Sequence, residues 1–206
     1  MPGSDSRPLL VATTNKKKLQ EIRELLEGFP IRLLSLTDLP SYQEVPETGK
    51  TFQENASLKA LGYARQSGFL TIGEDSGLSC DALEGAPGIY SARFSGDPSN
   101  DAANNTKLLK LLEKVPDNCR GAHYTSAIAF ALPGKLIGVV EGEVHGVILT
   151  SLRGSKGFGY DPLFYYPPFQ KTFAEVDAVM KHQVSHRAKA LEKLKQVLRT
   201  YLAEKN

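Results

Sequence analysis

Leu70-Thr71-Ile72-Gly73-Glu74-Asp75-Ser76-Gly77-Leu78 is the stretch whose reading decides the fold. The apolar run Leu70 to Ile72 predicts a buried strand. It runs into two adjacent carboxylates and then Ser-Gly, and a second apolar run, Leu78 to Leu83, follows. Acids at the end of a buried strand are costly unless something pairs with them. A metal ion or a bank of lysines would do so. The chain carries Glu44 and Glu47 upstream and lysines in three separate places. This points to a magnesium-assisted site for a polyphosphate. A charged turn between two strands is the alternative reading of the same residues.

Upstream, Leu9 to Ala12 predicts a short buried strand. Thr13-Thr14-Asn15-Lys16-Lys17-Lys18 follows, then a helix to about Glu27 with Leu19, Ile22, Leu25 and Leu26 at helical spacing. A strand-to-helix junction gathers free N–H groups and the positive end of the helix dipole, where phosphates bind. Lysines oppose that dipole, so three in a row need solvent or an anion. Ile31 to Leu36 predicts a second strand. Thr51-Phe52-Gln53-Glu54 has capping-box spacing and opens a helix that Gly68 ends. Ala56, Ala60 and Ala64 share one face of it, and Asn55 and Lys59 share another. Strand, helix, strand, helix, strand argues for an α/β protein.

Downstream, Asp101 to Val115 predicts an amphipathic helix. Tyr124 to Leu132 and Leu136 to Leu149 predict strands joined at Pro133-Gly134-Lys135, a hairpin signal. Gly154 to Pro162 combines glycines with Phe158 and Tyr160, whose flat faces would stack on a purine, worth about 1–3 kcal/mol. A glycine-rich turn with core aromatics is the alternative. Ser185 is the expected N-cap of a last helix to about Ala203, with His186 and Arg187 in its first turn.

The chain has 206 residues, 41% apolar and 23% charged, with net charge +2, as expected of a globular protein without charge-driven nucleic-acid binding. No apolar stretch approaches the length of a membrane span, and the N-terminus lacks a signal-peptide pattern. Cys80 and Cys119 show no metal-like spacing and are expected as structural thiols in a reducing cytoplasm.

In this order the motifs resemble the Ham1-type inosine/xanthosine triphosphate pyrophosphatases. The resemblance is carried by Ala12 to Lys18, Glu47-Thr48-Gly49, Thr51 to Ala56 with Lys59-Ala60, Glu74 to Leu78, Gly85 to Arg93, Gly157 to Pro162 and Ser185-His186-Arg187. Many members carry Asp-Asp-Ser-Gly where this chain has Glu74-Asp75-Ser76-Gly77.

The resemblance implies an elongated mixed α/β sheet flanked by helices, one domain over 1–206 made of two lobes with a central cleft, and a flexible segment over 1–8. It implies a cytoplasmic homodimer that hydrolyses ITP, dITP and XTP to monophosphate and pyrophosphate with Mg²⁺, without nucleic-acid or membrane partners. Glu47, Glu74 and Asp75 are then the metal ligands, and Asp75 the base, two roles that compete. Thr13, Asn15 and Lys18 are expected on phosphates, with Lys59 and Lys181 nearby; Thr14, Lys16, Lys17 and Ser76 are expected to touch substrate as well. Phe158, Gly159, Tyr160, Asp161, His186 and Arg187 are expected to form the base pocket. A non-catalytic nucleotide sensor and a Maf-like pyrophosphatase for another nucleotide are the alternatives.

Overall fold

The structure, a computed structural model, describes residues 7–203. Its elements are β1 (Arg7–Ala12), α1 (Lys16–Leu25), β2 (Ile31–Ser35), α2 (Phe52–Ser67), β3 (Leu70–Cys80), α3 (Asp101–Leu111), β4 (Gly121–Leu132), β5 (Lys135–Ile148), β6 (Phe164–Tyr166), β7 (Lys171–Thr172), α4 (Ala178–His182) and α5 (His186–Ala203). The sheet order is β2-β1-β3-β4-β5-β6-β7. β1 pairs in parallel with β2 and β3, while β6 pairs antiparallel with β5 and β7. The expected mixed sheet flanked by helices is therefore present. Arg7 and Pro8, expected within a flexible terminus, open β1 and pair with Ile31 and Arg32. The rest of that expected segment, residues 1–6, lies outside the described residues.

The chain divides into two compact units. The first is the described part of Met1–Asp75, Ser126–Glu141 and Lys189–Asn206; the second is Ser76–Thr125 and Gly142–Ala188.

In the first unit, alternate residues of β1 face opposite cores, as strand geometry requires. Leu9 and Val11 pack with Ile22 of α1, Ile72 of β3, Ile128 and Phe130 of β4, and Leu191, Leu194 and Leu198 of α5. Leu10 and Ala12 face the other way, with Tyr63 of α2. α2 also lays Ala56, Ala60 and Ala64 against Ala127, Ala129 and Ala131 of β4. The sheet thus lies between α1 with α5 on one face and α2 on the other. Chain reversal between β2 and β3, across β1, accounts for this placement, because parallel crossovers keep one hand.

β3 departs from both expectations for its sequence. It is neither a strand that stops at the acids nor two strands with a charged turn. It runs unbroken from Leu70 to Cys80, buried at every position except half-buried Ser76. Glu74 and Asp75 sit in its middle. Gly73 shows why α2 can lie so close. A Cβ there would fall against the carbonyl oxygen of Ala56, 2.5 Å from the amide nitrogen of Ala60 and 2.9 Å from Lys59 Cβ.

The local signals hold elsewhere. Thr51 Oγ1 caps α2 by accepting from the Glu54 N–H at 3.1 Å. The reciprocal half of the expected box is displaced by one residue, because Glu54 Oε2 accepts from the Lys50 N–H at 2.6 Å. Gly68 closes α2 in the left-handed region.

The second unit is built around Leu78, Cys80, Leu108, Leu112, Tyr124, Phe164 and Phe173. Buried Arg120 ties this core together by donating to the carbonyls of Ile148 at 2.7 Å, Leu112 at 2.6 Å and Leu149 at 3.1 Å. Cys80 is buried, whereas Cys119, also expected as a structural thiol, is exposed.

Candidate active site

The site of the first unit begins with sheet register. Ala12 lies opposite Gly73, so the loop after β1 emerges beside Glu74 and Asp75. Within that loop Thr13 Oγ1 accepts from the Asn15 N–H at 3.2 Å. Asn15 Oδ1 accepts from the N–H groups of Lys17 and Lys18 at 3.0 and 3.1 Å. Asn15 is therefore the N-cap of α1, and two N–H groups expected to face an anion are already satisfied. Thr14, Lys16 and Lys17 are exposed. Lys18 turns back towards the sheet and pairs with Glu74, Nζ to Oε2 3.0 Å.

On the α2 face, Lys59 gathers two carboxylates. Its Nζ lies 3.1 Å from Glu47 Oε2 and 3.5 Å from Asp75 Oδ1. One turn earlier, Asn55 donates from Nδ2 to Asp75 Oδ2 at 3.1 Å and accepts the Gly49 N–H on Oδ1 at 2.8 Å. Asn55 thus fixes one oxygen of Asp75 and steadies the loop that carries Glu47. Burial pushes the Asp75 carboxyl above its ordinary range, and Glu47 adds to this; Lys59, Lys18 and the Asn55 hydrogen bond pull it back.

Glu74 faces the other way. Its side chain is 1% exposed, and its Oε1 accepts from the Ser126 hydroxyl at 3.0 Å. The three expected metal carboxylates are therefore not one cluster. Among the described residues no three His, Cys, Asp or Glu side chains are grouped to hold a metal.

The second unit assembles the remaining expected residues. Arg187, at 1% exposure the largest fully buried side chain, donates from Nη2 to Ser76 Oγ at 3.1 Å. Its guanidinium lies 5.8 Å from the Phe158 ring centroid, and Lys181 Nζ lies 4.9 Å from the same ring. Asp161 Oδ2 accepts from Lys181 Nζ at 2.7 Å and from the Phe158 N–H at 3.0 Å. Gly159 is held by its neighbours: its N–H donates to Asp101 Oδ2 at 2.8 Å and its carbonyl accepts from Asn105 at 2.9 Å. The His186 ring stacks on Tyr124 at 4.7 Å and 12°. Tyr160 differs from expectation: its ring is buried in the core and its hydroxyl donates to the Ser91 carbonyl at 2.8 Å. Of the two expected stacking aromatics, Phe158 alone is half-buried rather than in the core.

Three residues were not among the expected site residues. Asn55 carried a signal, its i, i+4 relation to Lys59. Ser126 and Tyr124 carried none, since both fall in an apolar strand run.

Two carboxylates gathered on a lysine beside the end of β1, and in the second unit a buried arginine beside an aromatic ring, are the kinds of group that enzymes acting on anions and nucleotides use. The family model of the Ham1 family matches residues 9–197. A dITP/XTP pyrophosphatase of Desulforamulus reducens is 50% identical over 190 residues, covering 92% of this chain and 94% of that protein. One of Geobacter sulfurreducens is 51% identical over 187 residues, covering 91% and 94%. The Staphylococcus aureus Ham1 protein has a similar structure, with TM-score 0.85 and 36% identity, covering 95% of this chain and all of that one. The chain belongs to the Ham1 family.

Proposed function

We propose that this protein hydrolyses deaminated purine nucleoside triphosphates, ITP, dITP and XTP, to the monophosphate and pyrophosphate, and so cleanses the nucleotide pool. The observation that carries the chemistry is the convergence of Glu47 and Asp75 on one ammonium, that of Lys59. A positive charge already lies between two oxygen ligands. Mg²⁺ needs only one or two carboxylates, completing its shell with waters and phosphates, so the residues fit it. Glu47 and Asp75 would hold it. When bound, it would draw charge from the phosphate oxygens and help ionise water.

The chain's own residues supply the rest. Asp75 accepts the proton of the attacking water, and burial makes that carboxylate a better base than an exposed one. Lys18 and Lys59 offset the charge that builds on the leaving pyrophosphate. Phe158 offers a face to the purine. Arg187, His186 or a backbone N–H presents donors to the 6-oxo oxygen of hypoxanthine or xanthine. Adenine carries an amino group there and would leave donors facing donors, at about 1–3 kcal/mol for each unpaired group.

The same reading makes the two units one catalytic domain, working as a homodimer in the cytoplasm without nucleic acid; sedimentation and salt-dependent DNA retention test the dimer and the last point. No helix among the described residues is long and apolar enough to cross a membrane. The deciding assay is pyrophosphate release from ITP, XTP, dITP, GTP, ATP and dTTP with and without Mg²⁺. Metal-dependent release from ITP and XTP at over ~100-fold the rate with ATP is expected. Release of single phosphate, or indifference to the base, would overturn the proposal.

A further inference from the structure

Strand alternation sends the adjacent acids to opposite faces of β3. Asp75 meets Asn55 and Lys59 of α2. Glu74 meets Lys18 of α1 and Ser126 of β4, on the face where Ile72, Ile128 and Phe130 pack. A carboxylate in such company must be paired and hydrogen-bonded to stay charged. It has one of each: Oε2 forms an ion pair with Lys18 Nζ at 3.0 Å, and Oε1 accepts a hydrogen bond from the Ser126 hydroxyl at 3.0 Å. Ser126 is itself 0% exposed, so it cannot swing away to solvent. Lysine, by contrast, is a point charge on a flexible stem with three rotatable donors. Anchoring its nitrogen to a rigid strand leaves the other donors aimed from the loop that Thr13 and Asn15 shape.

The geometry points to Glu74 as a positioning residue for Lys18, which fixes that ammonium for an oligophosphate, and not as a metal ligand. This rests on the proposed phosphate-handling role of the Thr13 to Lys18 loop. Glu47 and Asp75 then remain as the metal carboxylates, and Ser126 is the strut that orients Glu74.

The test uses two probes on the full-length, nucleotide-free protein: inorganic tripolyphosphate by calorimetry without divalent metal, and Mn²⁺ by paramagnetic resonance. Glu74→Gln should weaken tripolyphosphate binding about tenfold, as expected for side chains in direct contact, and leave Mn²⁺ affinity within about twofold of wild type, since no ligand is lost. Lys18→Met should weaken tripolyphosphate at least as much, and adding Glu74→Gln to it should cost nothing more. The double variant buries no unpaired charge, so it keeps the test alive if Glu74→Gln alone does not fold. Ser126→Ala should show the same loss in smaller measure. A tenfold fall in Mn²⁺ affinity, multiplying losses in the double variant, or tighter tripolyphosphate binding in Glu74→Gln would each overturn the assignment. If wild type hydrolyses no ITP while these binding results hold, the proposed function fails and the positioning role stands.

Discussion

Gly73→Ala links packing to chemistry in one substitution. The added methyl would meet the Ala56 carbonyl oxygen, and would lie 2.5 Å from the Ala60 nitrogen, where ordinary contact begins at 3.4 Å. These are backbone atoms of a helix, so no side chain can yield. α2 must move off β3 by roughly 0.9 Å, the difference between those distances. Over-packing of this kind costs about 1–3 kcal/mol, or roughly 2–12 °C in melting temperature for a chain of this size. The shift also carries Asn55 and Lys59 away from Asp75. A hydrogen bond of 3.1 Å would lengthen to roughly 4 Å, beyond useful geometry. Displacement near 1 Å in a catalytic constellation lowers kcat about 100-fold. Gly138 in β5 is the control: nothing lies within 4 Å of its Cβ position and its φ is not positive. Gly138→Ala should stay within about 0.5 kcal/mol of wild type. Thermal melts with ITP turnover for both variants provide the assay. A Gly73→Ala protein that melts with wild type and keeps kcat within twofold would refute the role given to this contact.

Asp75→Asn should lower kcat by about 10²–10⁴-fold, the usual worth of a general base, while nucleotide still binds; near-normal turnover would remove Asp75 from the reaction. The same variant should be more heat-stable than wild type in metal-free buffer at pH 8. Because burial raises the native Asp75 pKa above its unfolded value, stability is fully present below the unfolded value and falls as pH rises through the native one; the gap should close towards pH 4, and a gap that does not change with pH would contradict this. Burial pushes the Cys80 thiol up to about 12, whereas Cys119 is exposed. Iodoacetamide at pH 7.5 should therefore label Cys119 in the native protein and Cys80 only after unfolding, as peptide mapping will read. Arg120→Met leaves the carbonyls of Ile148, Leu112 and Leu149 without their buried donor. A loss of about 2–5 kcal/mol in guanidinium unfolding is expected, and a loss below 1 kcal/mol would mean that water replaces the guanidinium.

Local chemistry in the chain determined where several of the elements begin. Asn15, Thr51 and Ser185 cap helices because short polar side chains reach the first free N–H groups, and they do so wherever the rest of the chain lies. Leu9 to Ala12 and the alanines of α2 likewise announce their elements by spacing alone. Asp75, Lys18 and Lys59 were legible as chemistry, since charges in or beside apolar runs demand partners. Which partner each would find was not. An Asp-Ser-Gly sequence reads as a turn in isolation, yet β3 stays extended through it, beyond Gly73 where its pairing with β1 ends. That extension puts Glu74 and Asp75 on opposite faces, and so gives Lys18 to one and Lys59 to the other. Tyr160 and Phe158 are equally aromatic in the sequence; the Ser91 carbonyl takes the hydroxyl of one into the core and leaves the other half-buried. Ser126, in an apolar run, says nothing until Glu74 arrives beside it from fifty-two positions earlier in the chain. Short-range hydrogen bonding and periodicity are properties of neighbours along the chain, whereas the pairing of buried charges is settled by residues that only folding brings together.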